Sequence, residues 1–106
     1  MTEQDLIDAG YTQFTDKFKH AECAYQKRVR SDTGTRYFIN VYVYDFSQYN
    51  FPTNNTKAFE LDCQFIDANG DYMNILFSVS NMTIEKMEQK IEHIFTALEF
   101  VDYDYD

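Results

Sequence analysis

The chain has 106 residues, a net charge of −9, 44% hydrophobic and 18% aromatic residues, and only three Gly and one Pro. That length supports one domain around a single core, and nine Tyr with ten Phe exclude a disordered acidic chain. No apolar run approaches the roughly 18 residues of a membrane span.

In chain order, Met1 leads into Thr2-Glu3-Gln4-Asp5 without a basic or apolar leader, so the expected setting is cytoplasmic. Cys23 and Cys63 then read as reduced, buried small hydrophobes, and the sequons at Asn54 and Asn81 as chance matches. Thr2 with Asp5 resembles a helix start and Gly10 a stop, which predicts a short helix over Glu3–Ala9 with Leu6 and Ile7 as its apolar contacts. Tyr11, Phe14 and Phe18 are expected to follow as an irregular anchor.

Four strands come next. The odd positions Cys23, Tyr25 and Val29 are apolar along 23–30, as are Tyr37, Ile39, Val41 and Val43 along 35–46. Phe59, Leu61, Cys63 and Phe65 repeat the pattern along 58–66, and Met73, Ile75, Phe77 and Val79 along 72–79. This is the two-residue period of strands with one buried face. Odd must pair with odd across each hairpin, because a one-residue slip exchanges the faces. Asp32-Thr33-Gly34 and Ala68-Asn69-Gly70 each supply three loop residues ending in Gly, matching a type I turn closed by a G1 bulge. The stretch from Ser47 to Lys57 links the two hairpins.

A closing helix is predicted from Ile84 to about Phe100, with Thr83 as N-cap and Met82 and Met87 as a hydrophobic staple. Ile84, Met87, Ile91, Ile94, Phe95 and Leu98 form its core stripe, beside a second stripe of Glu85, Glu88, Glu92 and Glu99. The expected fold is therefore α+β with the order α-β-β-β-β-α. A short N-terminal helix precedes a four-stranded antiparallel sheet of two hairpins, and a C-terminal helix packs on one face. Residues 1–101 make the domain and 102–106 an acidic tail.

Two surfaces stand out. From Glu60 to Asp106 eleven carboxylates meet only Lys86 and Lys90, whereas from Met1 to Phe59 seven carboxylates and seven Lys/Arg cancel. A bipolar distribution of this kind steers encounters and selects partners. Glu85, Glu88, Glu92 and Glu99, with Tyr103 and Tyr105 in the tail, form a candidate partner-binding surface that could occupy the basic groove of a nucleic-acid enzyme. The alternative surface is the second face of the sheet, where Arg28, Arg30, Arg36, Phe38, Tyr42 and Tyr44 share even positions and Ile66, Tyr72 and Leu76 follow by parity. Three readings cover that face: burial under the N-terminal helix and anchor, a homodimer interface, or contact with another macromolecule. Basic groups beside rings also suit single-stranded nucleic acid, though a net charge of −9 opposes it, and the bland reading pairs these cations with the protein's own carboxylates.

Catalytic chemistry finds no foothold in the sequence. His20 and His93 lack partners at metal-ligand spacing, and Asp67-Ala68-Asn69-Gly70-Asp71 places its Gly too early for a calcium loop. Cys23 and Cys63 both fall on the predicted core face, which argues against an exposed thiolate nucleophile, and no Gly-rich phosphate loop occurs, so no enzyme activity, metal or cofactor is expected. Tyr25-Gln26-Lys27-Arg28-Val29, then Gly34 and Arg36-Tyr37-Phe38-Ile39-Asn40-Val41-Tyr42, resemble a recurring feature of small bacteriophage and mobile-element proteins, as do Asp5 to Tyr11 and the closing helix in style. The resemblance implies a phage or mobile-element setting and a bacterial host cytoplasm, with no particular activity. The reading is a non-enzymatic protein-binding accessory protein, in its sharper form an acidic inhibitor of a host nucleic-acid-handling or defence enzyme. The alternatives are a small nucleic-acid-binding module using the first hairpin and a homodimeric structural accessory protein.

Overall fold

A computed structural model of the chain describes residues 1–15, 21–31, 34–46, 57–66, 69 and 71–98. The elements are α1 (Glu3–Asp8), β1 (Thr12–Phe14), β2 (Cys23–Ser31), β3 (Gly34–Asp45), β4 (Lys57–Ile66), β5 (Tyr72–Ser78) and α2 (Ile84–Leu98). They build an α+β domain whose antiparallel sheet runs in the order β1-β2-β3-β4-β5.

Helix α1 is short and fully capped. Asp5 N–H donates to Thr2 Oγ1 at 3.1 Å, and Thr2 N–H donates to Asp5 Oδ2 at 2.9 Å, which is a capping box. At the other end Gly10 adopts φ 93°. Tyr11 N–H reaches Leu6 O at 3.0 Å and Gly10 N–H reaches Ile7 O at 3.1 Å, the two bonds of a Schellman motif. A side chain at position 10 would be strained, because L residues avoid that region.

The sheet has five strands, not four. The segment read as an irregular anchor leaves the Schellman turn extended and pairs with β2, Thr12 opposite Gln26 and Phe14 opposite Ala24. Three residues are too few to display a period of two. Phe18, the end of that expected anchor, lies outside the described residues.

Hairpin parity follows the expectation with one adjustment. Between β4 and β5 the register runs from Glu60↔Ser78 to Ile66↔Tyr72, odd against odd throughout. This is the register a three-residue turn requires, although Asp67, Ala68 and Gly70 are outside the described residues. Between β2 and β3 the same parity holds from Cys23↔Val43 to Val29↔Tyr37, then shifts so that Arg30 opposes Thr35 and Ser31 opposes Gly34; the three-residue loop expected at Asp32-Thr33-Gly34 is thereby corrected, since Gly34 is already paired in β3 and two residues separate the paired ends. Arg36 is the extra residue, and a bulge re-aims the side chains beside it.

Both helices pack on one face. The core joins Leu6 and Tyr11 to Tyr25, Val41, Leu61 and Met87, with Leu6, Val41, Leu61 and Met87 all at 0% exposure. Leu6 and Tyr11 therefore belong to the covered face and not to the second one; among the described residues of the expected anchor, Phe14 crosses over, edge-on to Tyr42 with ring centroids 6.0 Å apart. Helix α2 begins as expected. Lys86 N–H donates to Thr83 Oγ1 at 3.1 Å, and Met82 is half-buried beside buried Met87. Phe95 then meets Tyr37 and Phe65 at centroid distances of 5.0 and 5.6 Å, close to the tilted geometry that aromatic quadrupoles favour.

Candidate functional site

The two electrostatic poles meet inside the molecule. The bulge turns Arg36 toward α2, where its guanidinium lies 4.0 Å from the Phe95 ring centroid and its Nη1 is 2.7 Å from Glu92 Oε1. The expected grouping of Arg36 with Arg28 and Arg30 on the second face is thus corrected: a classic bulge points two successive residues, here Arg36 and Tyr37, to the same side. One turn earlier on α2, Lys27 Nζ is 2.9 Å from Glu88 Oε1.

Two phenols strengthen these contacts. Tyr11 OH donates to Glu88 at 2.9 Å, and Tyr37 OH donates to Glu92 Oε2 at 3.0 Å. Burial and then the adjacent carboxylate push both phenols above their usual range, so they remain donors at every physiological pH. Each of these two glutamates therefore serves one cation and one hydroxyl. The groove between the first hairpin and α2, lined by Val29, Arg30, Tyr37, Glu85, Glu88 and Gln89 among others, is crossed by its own ion pairs.

Of the acidic stripe, Glu85 is exposed near the start of α2. Glu99, Tyr103 and Tyr105 lie outside the described residues. Of the alternative surface, Arg28 remains on the second face, and Arg30 is exposed at the end of β2 beside the groove. Arg28 Nε donates to Thr35 Oγ1 at 2.7 Å, and its guanidinium lies 5.7 Å from the Phe38 ring centroid. Tyr42 is only 4% exposed, and Phe38 and Tyr44 are half-buried. Next to them β4 places Glu60 opposite Tyr42, Asp62 opposite Asn40 and Gln64 opposite Phe38. Arg28 and the rings of the first hairpin thus adjoin carboxylates on the same face.

A third cluster was not legible in the sequence. Glu3 Oε1 accepts from Cys23 Sγ at 3.0 Å and Tyr25 OH at 2.8 Å, while Oε2 pairs with Lys57 Nζ at 2.8 Å. The Cys23, Lys57 and Tyr25 hydrogen bonds hold the Glu3 carboxyl at about 2, well below the carboxylate range. Desolvation and then Glu3 push the Cys23 thiol up to about 12; Cys63, at 0% exposure, is likewise raised by burial. Neither thiol is poised as a nucleophile. Nothing in the spacing ties position 3 to 23, 25 and 57; only α1 docking on the sheet does. Among the described residues no group of three His, Cys, Asp or Glu could hold a metal ion, and no helix is long and apolar enough to cross a membrane.

Exposed apolar side chains concentrate elsewhere. Tyr72 is 78%, Leu76 54% and Met73 40% exposed, all on β5. The strand reads Tyr-Met-Asn-Ile-Leu-Phe-Ser with no charge, Gly or Pro, so its own sequence carries neither the charge nor the proline that blunts many edges. Tyr72 and Leu76 were assigned to the second face by parity, but the signal that singles them out, an edge position, is a property of the assembled sheet.

No family model, curated protein or solved structure matches the chain.

Proposed function

We propose that the chain is a non-enzymatic protein-binding domain whose contact surface is β5 and the adjoining part of the second sheet face. The observation that carries this reading is the clustering of Tyr72, Met73 and Leu76, all exposed, on one uncharged strand. Apolar exposure gathered at one place marks interaction sites better than the same residues scattered singly.

In a phage or mobile-element setting the sharper form, an inhibitor of a host nucleic-acid-handling enzyme, uses the acidic helix instead. It keeps Glu85 and, beyond the described residues, Glu99, Tyr103 and Tyr105, while Glu88 and Glu92 each already carry a cation. The two forms separate in one experiment. Wild-type, Leu76→Lys and Glu85→Lys proteins serve as baits in a bacterial lysate at low and high salt. Capture lost with Leu76→Lys and insensitive to salt supports the β5 surface. Capture lost with Glu85→Lys and with salt supports the acidic surface, and capture of nothing by any bait overturns protein binding to a foreign partner. For the nucleic-acid alternative, a mobility shift with short single strands at low salt decides, and no shift at micromolar protein ends it.

A further inference from the structure

We infer that the occupant of the β5 edge is a second copy of this chain, added antiparallel about a two-fold axis at Ile75 so that two five-stranded sheets become one. The inference rests on the reading of β5 as a contact surface and names its partner. Three features of the edge fit a copy of itself.

The first is hydrogen-bond parity. Val79 N–H donates to Phe59 O at 2.9 Å, so by strand alternation the odd residues of β5 bond inward to β4. The backbone N–H and C=O groups of Tyr72, Asn74, Leu76 and Ser78 then point away from β4, and among the described residues no strand pairs with them. A two-fold at Ile75 sets Tyr72 opposite the partner copy's position 78 and Asn74 opposite position 76. Every pair that needs outward groups on both copies has them, and Ile75 meets its own counterpart in a non-hydrogen-bonded pair, where side chains are closest.

The second is side-chain chemistry. On the helix-covered face the same axis brings Met73 against position 77 of the copy, a thioether against an aromatic ring, on either side of the central Ile75 pair. Ile75 and Phe77 already pack against the core, so the apolar layer continues across the junction.

The third is charge. A chain of net charge −9 resists its own copy unless its carboxylates are kept apart. Lys27 and Arg36 hold Glu88 and Glu92 toward β2 and β3. Strand β5 itself holds no charge. The strand pairs of a β5–β5 junction are therefore neutral, and the contact sets no carboxylate of β5 against its copy.

Sedimentation velocity of the full chain across a wide concentration range tests this. The expected result is a concentration-dependent monomer–dimer equilibrium. Asn74→Pro removes an outward donor while leaving the β4 ladder untouched, and Pro is tolerated at such edge positions; it is expected to leave a folded monomer by circular dichroism. Should Asn74→Pro fail to fold, Leu76→Lys serves, with self-association weakened more than about tenfold by the two like charges that the axis sets diagonally across the junction. Ile75→Cys is expected to crosslink under mild oxidation, because the axis sets the two thiols within disulfide reach. Tyr72→Cys is expected not to, since its copy lies six strand positions away, on the order of 20 Å. A wild-type chain that stays monomeric at millimolar concentration overturns the inference, as does a dimer unaffected by Leu76→Lys or crosslinked equally by both cysteines. A monomer that still captures a foreign protein through Leu76 refutes only the identity of the occupant; the absence of both refutes the contact surface itself.

Discussion

Glu3 carries more of the tertiary structure than its place in a six-residue helix suggests. One carboxylate ties α1 to β2 through Cys23 and Tyr25 and to β4 through Lys57. Its pKa is depressed to about 2, so its contribution is fully present above the unfolded-state value, about 4.3 for a glutamate, and is lost as the pH falls toward 2. Acid titration of the unfolding free energy is expected to show this loss, and Glu3→Gln is expected to flatten that part of the profile. At neutral pH the same substitution costs on the order of 1 kcal/mol, since the site is partly solvated. Phe95 belongs to the other extreme. It is 3% exposed and closes a cluster with Tyr37 and Phe65, so Phe95→Ala is expected to cost about 3–5 kcal/mol in denaturant unfolding. It also removes the ring beneath Arg36.

At the scale of elements, the bulge in β3 decides where the basic pole goes. Alternation alone assigns Arg36 to the second face; the extra residue turns it toward α2 and onto Glu92. The ion pair is half open to solvent, which puts its coupling at about 0.3–1 kcal/mol. A double-mutant cycle of Arg36→Glu and Glu92→Arg is the measurement: each single change is expected to destabilise, and the swap to recover part of the loss, with the coupling shrinking at high salt. The capping box of Thr2, the Schellman motif at Gly10 and the N-cap at Thr83 were readable from the sequence, because each is a contact between near neighbours. Strand β1 was not, since three residues extended by their partner carry no period of their own. Register was readable wherever one face is buried, and the turn residues only modulate it.

For the whole molecule, the sheet has one face under both helices and one face without a helix among the described residues. Cys63 sits at the centre of the covered side, at 0% exposure with its Sγ 3.1 Å from Phe38 O. Its labelling by a thiol reagent is therefore expected to require global unfolding, at a rate that tracks denaturant stability and falls far below that of the half-buried Cys23. Equal labelling rates for the two would show that β4 opens locally.

What the sequence by itself determined is what short-range chemistry encodes: helix caps, alternating strands, odd-with-odd register, an amphipathic closing helix and a divided charge. Only the tertiary structure decided how those pieces face one another. The charge division is neutralised in part across the groove between the first hairpin and α2, because a bulge moves one arginine and helix packing brings two glutamates to meet the cations. The contact surface proposed on β5 has a similar origin. Being the last strand of a sheet is a relation between strands that no stretch of residues contains.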